Sequence, residues 1–412
     1  MPDANVVTSQ MMGKPLNLSS RAFTDNKYAY YAYLREHDPV HKGKLLSFVG
    51  AYFLTRYDDC VAMLKDKRFV RNRTTATGGG RMPFPLPKSV SLMMNSMINE
   101  DEPEHRRLRA LVHTAFTPRT VANLAGRIEA LTDQLLDEVQ GEKRIDLMTA
   151  YAHPIPVTVI AEMVGVEADE VPKFASFVDA LTQGFSGITL ARTLVWDLPK
   201  AVTFVRQLIE RKRRHPGDDI LTALIEAEEE GEKLSEDELV AMVFLLIVAG
   251  HETTYNLITN AVYTLLTHPE QLARLRSEPE LLDTATEEVL RYNGPLHATK
   301  PEYTLEDVTI RGVTIPKGAA VMPLLASGNH DADAFEKPEV FDITRAPNRH
   351  LGFGQGIHYC LGAPLARLET NIALAKLLER CPDLRLAVHP SELEMVVRPG
   401  WHQYKEMPVS LG

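Results

Sequence analysis

Cysteine is nearly absent from this chain, which has three among 412 residues: Cys60, Cys360 and Cys381. That excludes a disulfide framework and fits a reducing compartment. Positive charge is in deficit, with 45 Lys and Arg against 55 Asp and Glu, a net charge of -10. A wholesale nucleic-acid binder is thereby excluded, because phosphate requires a basic face. Long apolar runs are missing too. The longest candidate, AMVFLLIVAG at 241–250, has ten residues, where a membrane span needs about 20. The start, MPDANVVTSQMMGKPLN, lacks both a basic and an apolar signal region, so no export is expected and the cytoplasm is the expected location.

What is present is a globular composition, 44% hydrophobic and 24% charged, ample for a sizeable core. Apolar periodicity predicts helices over 26–37, 57–66, 103–115, 119–139, 155–163, 169–184 and 198–213. Further helices are expected at 218–229, 236–267, 270–275, 279–292 and 363–380, with strand-like runs at 47–55, 307–315, 319–326 and within 384–410. Strands cluster at the ends and helices fill the middle, so a mainly α fold with a small sheet assembled from both ends is expected. With no repeat and no dividing linker, residues 1–412 read as a single domain, with 1–24 an irregular N-terminal arm. The stretch 71–97, with its three glycines and three prolines, reads as a loop. Its Phe84, Leu86, Leu92, Met93, Met94 and Met97 suit a lid over an apolar pocket.

The helix expected at 236–267 opens on a capping-box pattern, Ser235 with Glu238, and spans about 48 Å. AGHETT at 249–254 interrupts its apolar centre. Leu245, Ala249 and Thr253 share one face, Ala249 and Gly250 permit close approach, and Thr253 can bond back to the carbonyl of residue 249. A polar insertion in a dry helix needs partners or a task. His251-Glu252 begins like the zinc motif HExxH, but Tyr255 stands where the second histidine belongs, so that reading fails. Further on, Glu288 and Arg291 lie at i, i+3, a common spacing whose default reading is a surface salt bridge; Arg345 could close a three-member network with them.

FGQGIHYCLG at 353–362 is the most informative stretch. Gly354 and Gly356 permit a tight turn, Gly362 permits close packing, and Cys360 precedes a helix N-terminus that favours thiolate over thiol. Such a sulfur could be a nucleophile with His358 as base, a structural metal ligand, or a haem ligand. His105 and Arg109, at i, i+4 in DEPEHRRLR, offer two donors on one helical face to an anion, with His358 as a third.

Together AGHETT, EEVLR, FDITR and FGQGIHYCLG, in that order, resemble the cytochrome P-450 family of haem-thiolate monooxygenases, over roughly residues 25–411. The style is similar to soluble bacterial members that modify polyketides and other natural products. The resemblance implies a single triangular, mainly α domain with small β sheets, binding haem b (iron protoporphyrin IX). It implies Cys360 as axial ligand, with Phe353, Gly362 and Ala249 beside the haem, and His105, Arg109 and His358 as propionate contacts. Glu252 and Thr253 match the proton-delivering acid–alcohol pair, and Glu288, Arg291 and Arg345 the network behind the haem. One departure stands out: relatives usually carry an arginine at the position of Glu302, and Lys300, on the same strand face, is the expected substitute.

The implied reaction inserts one oxygen atom of O2 into a C–H bond. Leu245, Val248, Ala249, Leu296 and His297 are the expected substrate contacts, and their apolarity points to a lipophilic molecule such as a macrolide or terpenoid. Electrons would come from a ferredoxin or flavodoxin with its NAD(P)H-dependent reductase, docking near Arg71, Arg73, Arg106 and Arg107 on a monomer. Two rival readings are a peroxide-driven peroxygenase, which needs no acid–alcohol pair, and a haem-binding sensor or carrier without turnover.

Overall fold

The computed structural model describes residues 16–46, 49–79, 88–184, 192–229 and 232–412. The helix Glu236–Thr267 is its axis. Both capping-box bonds form: the Ser235 N–H donates to Glu238 Oε2 at 2.7 Å, and the Glu238 N–H donates to Ser235 Oγ at 3.3 Å. The helix then runs unbroken to His268, where Pro269 starts the next one. Its apolar side chains, among them Val240, Val243 and Ile258, are wholly buried, each contributing about 1.5–3 kcal/mol. By length and mean hydropathy, 1.3, this helix passes for a membrane span, but 67% of that window is buried inside the protein. It is a core helix.

Pro154–Met163, Leu282–Asn293 and Ala363–Arg380 pack around it. Gly250 sets one of these crossings, since a Cβ there would sit 3.0 Å from Ile160 Cδ1. The small residue expected to admit something bulky therefore admits a neighbouring helix.

A five-stranded sheet orders Val40–Leu46, Val49–Leu54, Ala320–Pro323, Glu302–Thr304 and Phe69–Val70. Val321 and Met322 pair in parallel with Tyr52 and Phe53, so the sheet does join the two ends of the chain. A three-stranded sheet adds Arg144–Asp146 to Pro408–Ser410 and Arg385–Leu386.

Several expectations shift. The helix expected at 119–139 splits into Pro118–Ala122 and Ala125–Glu138. The run 307–315 is a hairpin, Val308–Ile310 with Val313–Ile315, turned by Arg311 (φ 48°) and Gly312 (φ 80°). Strand 319–326 stops at Pro323, and Leu325–Asn329 is helical. Of the N-terminal arm, residues 1–15 lie outside the described residues. From Leu16 the chain is packed rather than irregular: Leu16, Leu18 and Phe23 are buried, and Arg21–Asp25 is a helix capped by Ser20. Nor is 71–97 simply a loop. Arg73–Thr77 is a helix capped by Asn72 and ended by the left-handed Gly78, and Lys88–Met94 is a second helix against the long one. Leu92 and Met97 are buried in the core, while Phe84 and Leu86 lie outside the described residues.

Candidate functional site

The loop 353–360 is closed by the Cys360 N–H donating to Phe353 O at 3.0 Å. Gly354 and Gly356 both take φ +71°, and a Cβ on Gly356 would collide with the Leu64 carbonyl oxygen, so glycine is required there. Gly362 caps the helix Ala363–Arg380, but a Cβ on it would meet nothing within 4 Å. Its smallness therefore serves no helix packing. Burial pushes the Cys360 thiol up, outweighing the Gly362 and Ala363 backbone N–H groups and the charges of Arg109 and Arg367 that pull it down. Contrary to expectation, the helix end does not by itself ionise the sulfur. An anionic Cys360 needs a further cation.

Arg367 was not anticipated. Its guanidinium lies 4.5 Å over the Phe353 ring and is gripped by Glu287, with Nε to Oε1 at 2.6 Å and Nη2 to Oε2 at 2.8 Å.

The helix Glu104–Ala115 presents His105 and Arg109 together. Arg109 Nη1 donates to Ile357 O at 3.2 Å, tying that helix to the cysteine loop. The rings of His105 and His358 meet at 4.4 Å. His105 is 2% exposed, yet its Nε2 has no partner among the described residues. Burial, then Arg109 and Arg71, push His105 down to about 4; burial, then Arg71 and neighbouring cations, push His358 down to about 2. Lys300 is surface-exposed, yet protein encloses it enough that burial, with Arg71, lowers its ammonium to about 8. Both statements hold for a side chain lining an internal cavity. Its Nζ donates to Asn99 Oδ1 at 3.0 Å. His105, Arg109, His358, Lys300 and Arg71 gather five nitrogen-bearing groups in one place, a seat for an anion.

On the long helix every residue from Leu239 to Leu265 is buried or half-buried except Ala249, which is exposed. Leu245, Val248 and Thr253 beside it are half-buried, so this stripe faces a cavity. The Thr253 hydroxyl donates to the Ala249 carbonyl at 2.5 Å, as expected, and the helix stays closed. Glu252 points the other way. It is 3% exposed and paired with Arg398, which stacks 4.0 Å over Trp401. Burial raises Glu252 against the pull of Arg398, and its Oε2 has no partner.

The cytochrome P450 family profile matches residues 80–386. The chain belongs to that family. Cytochrome P450 107B1 of Saccharopolyspora erythraea is 43% identical over 395 residues, covering 95% of this chain and 96% of the relative. The polyketide biosynthesis cytochrome P450 PksS of Bacillus subtilis is 39% identical over 395 residues, covering 95% of this chain and 97% of its own. The solved PksS structure superposes with a TM-score of 0.90, covering 96% of this chain and all of that one. This P450 is accordingly a mainly α oxidoreductase of the monooxygenase class, with a haem-thiolate cofactor.

Its residues fit such a cofactor. The orphaned His105 Nε2 and the surrounding cations suit two propionates, and Cys360 is a sulfur whose ionisation awaits a metal. Behind the loop, the Glu288–Arg291 pair is no surface bridge. Both side chains are fully buried, joined by two bonds of 2.8 Å, and Arg345 Nε adds a third at 3.0 Å.

Three expectations need correction. His297 is not available to a substrate: it is fully buried, stacked on His402 and 3.1 Å from the Tyr31 hydroxyl. Leu296, half-buried in a bridge with Trp401, keeps its place as a candidate. Arg71 is no docking residue, being buried and paired with Glu302 at 2.9 Å. Arg107 is likewise occupied by Glu104 and Glu238, while Arg106 is exposed and paired with Glu102. Arg73 is half-buried at a helix start.

The Arg71–Glu302 pair explains the departure on the strand. A cation from residue 71 stands against the carboxylate at 302, so Lys300 is not the sole candidate for the missing arginine's place. Arg71→Ala is expected to strand the buried Glu302 and weaken haem retention, at a cost of about 3–5 kcal/mol to the fold. Haem transfer to apomyoglobin and thermal unfolding, compared with Lys300→Ala, measure this; equal, small effects in both variants would refute it.

Proposed function

We propose that this P450 inserts one atom of O2 into a C–H bond of a lipophilic small molecule, a polyketide or similar secondary metabolite. In this reading it works as a cytoplasmic monomer with haem b and takes electrons from a ferredoxin or flavodoxin served by an NAD(P)H-dependent reductase. Cys360 would ligate the iron, with Phe353, Gly362 and Ala249 bordering the macrocycle. His105, Arg109, His358, Lys300 and Arg71 would meet the propionates. When bound, the haem supplies oxygen activation; the chain supplies position, dryness and protons.

One observation carries the reading: an acid and an alcohol adjoin on a closed helix whose exposed central residue is Ala249. The Thr253 proton is committed to the Ala249 carbonyl, which leaves its oxygen lone pairs to orient a water in the cavity. Burial raises the Glu252 carboxyl, its Oε2 has no partner among the described residues, and Arg398, about one-third exposed, links it towards solvent, so a proton would pass through this group. Leu245, Val248, Ala249 and Leu296 offer an apolar wall that selects by shape. The name of PksS supports a polyketide-like substrate.

Thr253→Ala is the test. With the reductase system, product per reductant oxidised is expected to fall about 10²-fold, the lower end of positioned acid–base contributions. Reductant consumption and peroxide-driven turnover persist. Undiminished coupling would favour the peroxygenase alternative.

A further inference from the structure

Three side chains left unused by the oxygen-activating site converge on the opposite flank of the long helix. His153 leads into the helix Pro154–Met163, Asp179 lies on Val171–Gly184, and His251 sits beside Glu252. Their ligating atoms all lie within 4.8 Å of one another. His153 Nε2 meets Asp179 Oδ1 at 2.8 Å, and the His153 and His251 rings stand perpendicular with centroids 4.5 Å apart.

His251 carries the argument. It is 1% exposed, and neither of its ring nitrogens has a hydrogen-bond partner among the described residues. A buried polar atom left unpaired costs about 1–3 kcal/mol, so an imidazole with both nitrogens orphaned, aimed at a histidine–carboxylate pair, requires a partner. Tyr255 denied His251 the second histidine of a single-helix zinc motif. Two other helices supply the missing donors.

We propose that His153, Asp179 and His251 bind a borderline divalent transition ion, with zinc(II) as the reference case, at a site separate from the haem centre. Two imidazoles and one carboxylate are a zinc donor set, and water completes the tetrahedron. Calcium and magnesium prefer all-oxygen shells. Ligand atoms about 2.1 Å from a tetrahedral ion lie about 3.4 Å apart. Seating one requires the 2.8 Å His153–Asp179 contact to open slightly and the widest pair to draw in, both within reach of side-chain rotation. The His153 and Asp179 side chains are 26% and 38% exposed, so the ion arrives from solvent and His251 closes the inner side. Once bound, it fastens Val171–Gly184 to the long helix one residue from Glu252.

The test is equilibrium dialysis of the holoprotein against micromolar zinc, followed by metal analysis. The expected result is about one zinc per haem iron. His153→Gln and Asp179→Asn should each weaken uptake by at least about tenfold, the lower bound for losing even an outer-shell partner. The carbon-monoxide spectrum should stay that of the parent in at least the His153 variant, whose side chain is partly exposed, which marks an intact haem pocket. Zinc uptake no greater than surface background, or uptake surviving both substitutions, would overturn the site. Neither result bears on the haem chemistry.

Discussion

Cys360→Ser is expected to abolish the red-shifted Soret band that reduced, thiolate-ligated haem gives under carbon monoxide, and monooxygenase turnover with it. The reason lies in the balance at the sulfur. Burial holds the Cys360 thiol up although two backbone N–H groups and two arginines pull it down, so ionising it takes a further positive charge. A coordinating iron would be that charge, and its binding would expel the thiol proton. A serine hydroxyl begins far less acidic, and the same four groups cannot ionise it. A serine variant that kept the band would remove Cys360 from the site. A corollary concerns the apoprotein, in which Cys360 should react sluggishly with thiol reagents at neutral pH because the thiolate is the nucleophile.

Arg291→Ala is expected to cost about 3–5 kcal/mol, the range for breaking a buried ion pair, and to lower the guanidinium midpoint for loss of the Soret band. Arg291 does more than neutralise Glu288. Its Nη1 donates to the carbonyls of Asn329 (2.9 Å) and Pro338 (2.8 Å), and its Nη2 to that of Val340 (3.1 Å). Truncation takes the arginine donor from the Asn329 and Pro338 carbonyls and two charge-assisted bonds from Glu288, while Arg345 still serves Glu288 and the Val340 carbonyl. Glu288, for its part, also accepts from the Asp342 N–H at 3.1 Å and Asn348 Nδ2 at 3.0 Å. Replacing both partners by apolar residues should therefore not restore stability, although such double replacements often do at simpler pairs. Restoration by Glu288→Leu with Arg291→Met would show that the carbonyl contacts contribute nothing.

Local chemistry was legible in the sequence; long-range pairing was not. The capping box at Ser235, the positive-φ glycines of the cysteine loop and the i, i+4 pair His105–Arg109 are short-range facts, and the structure realises each one. Arg71 and Glu302, 231 positions apart, read separately as a surface cation and an anomaly. Arg398, 146 positions from Glu252, gave no sign of its partner. His297 follows a proline near apolar residues, and nothing in that neighbourhood tells a pocket wall from an aromatic core. The split between Ala122 and Ala125 lacks glycine or proline, so periodicity carried straight across it. Arg311-Gly312 is a turn signal of the weaker kind, and the strand pattern ran over it.

Gly356 abuts the carbonyl of Leu64, at the end of the helix Tyr57–Lys65. The two segments are nearly 300 residues apart in sequence and meet backbone to backbone, with no flexible side chain between them to absorb error. The height of the sulfur in its pocket is thus indexed to an N-terminal helix that carries no part of the reaction. A substitution that slides that helix by a fraction of an ångström would shift the Cys360 sulfur, and with it any bond the sulfur is proposed to make, from the outside.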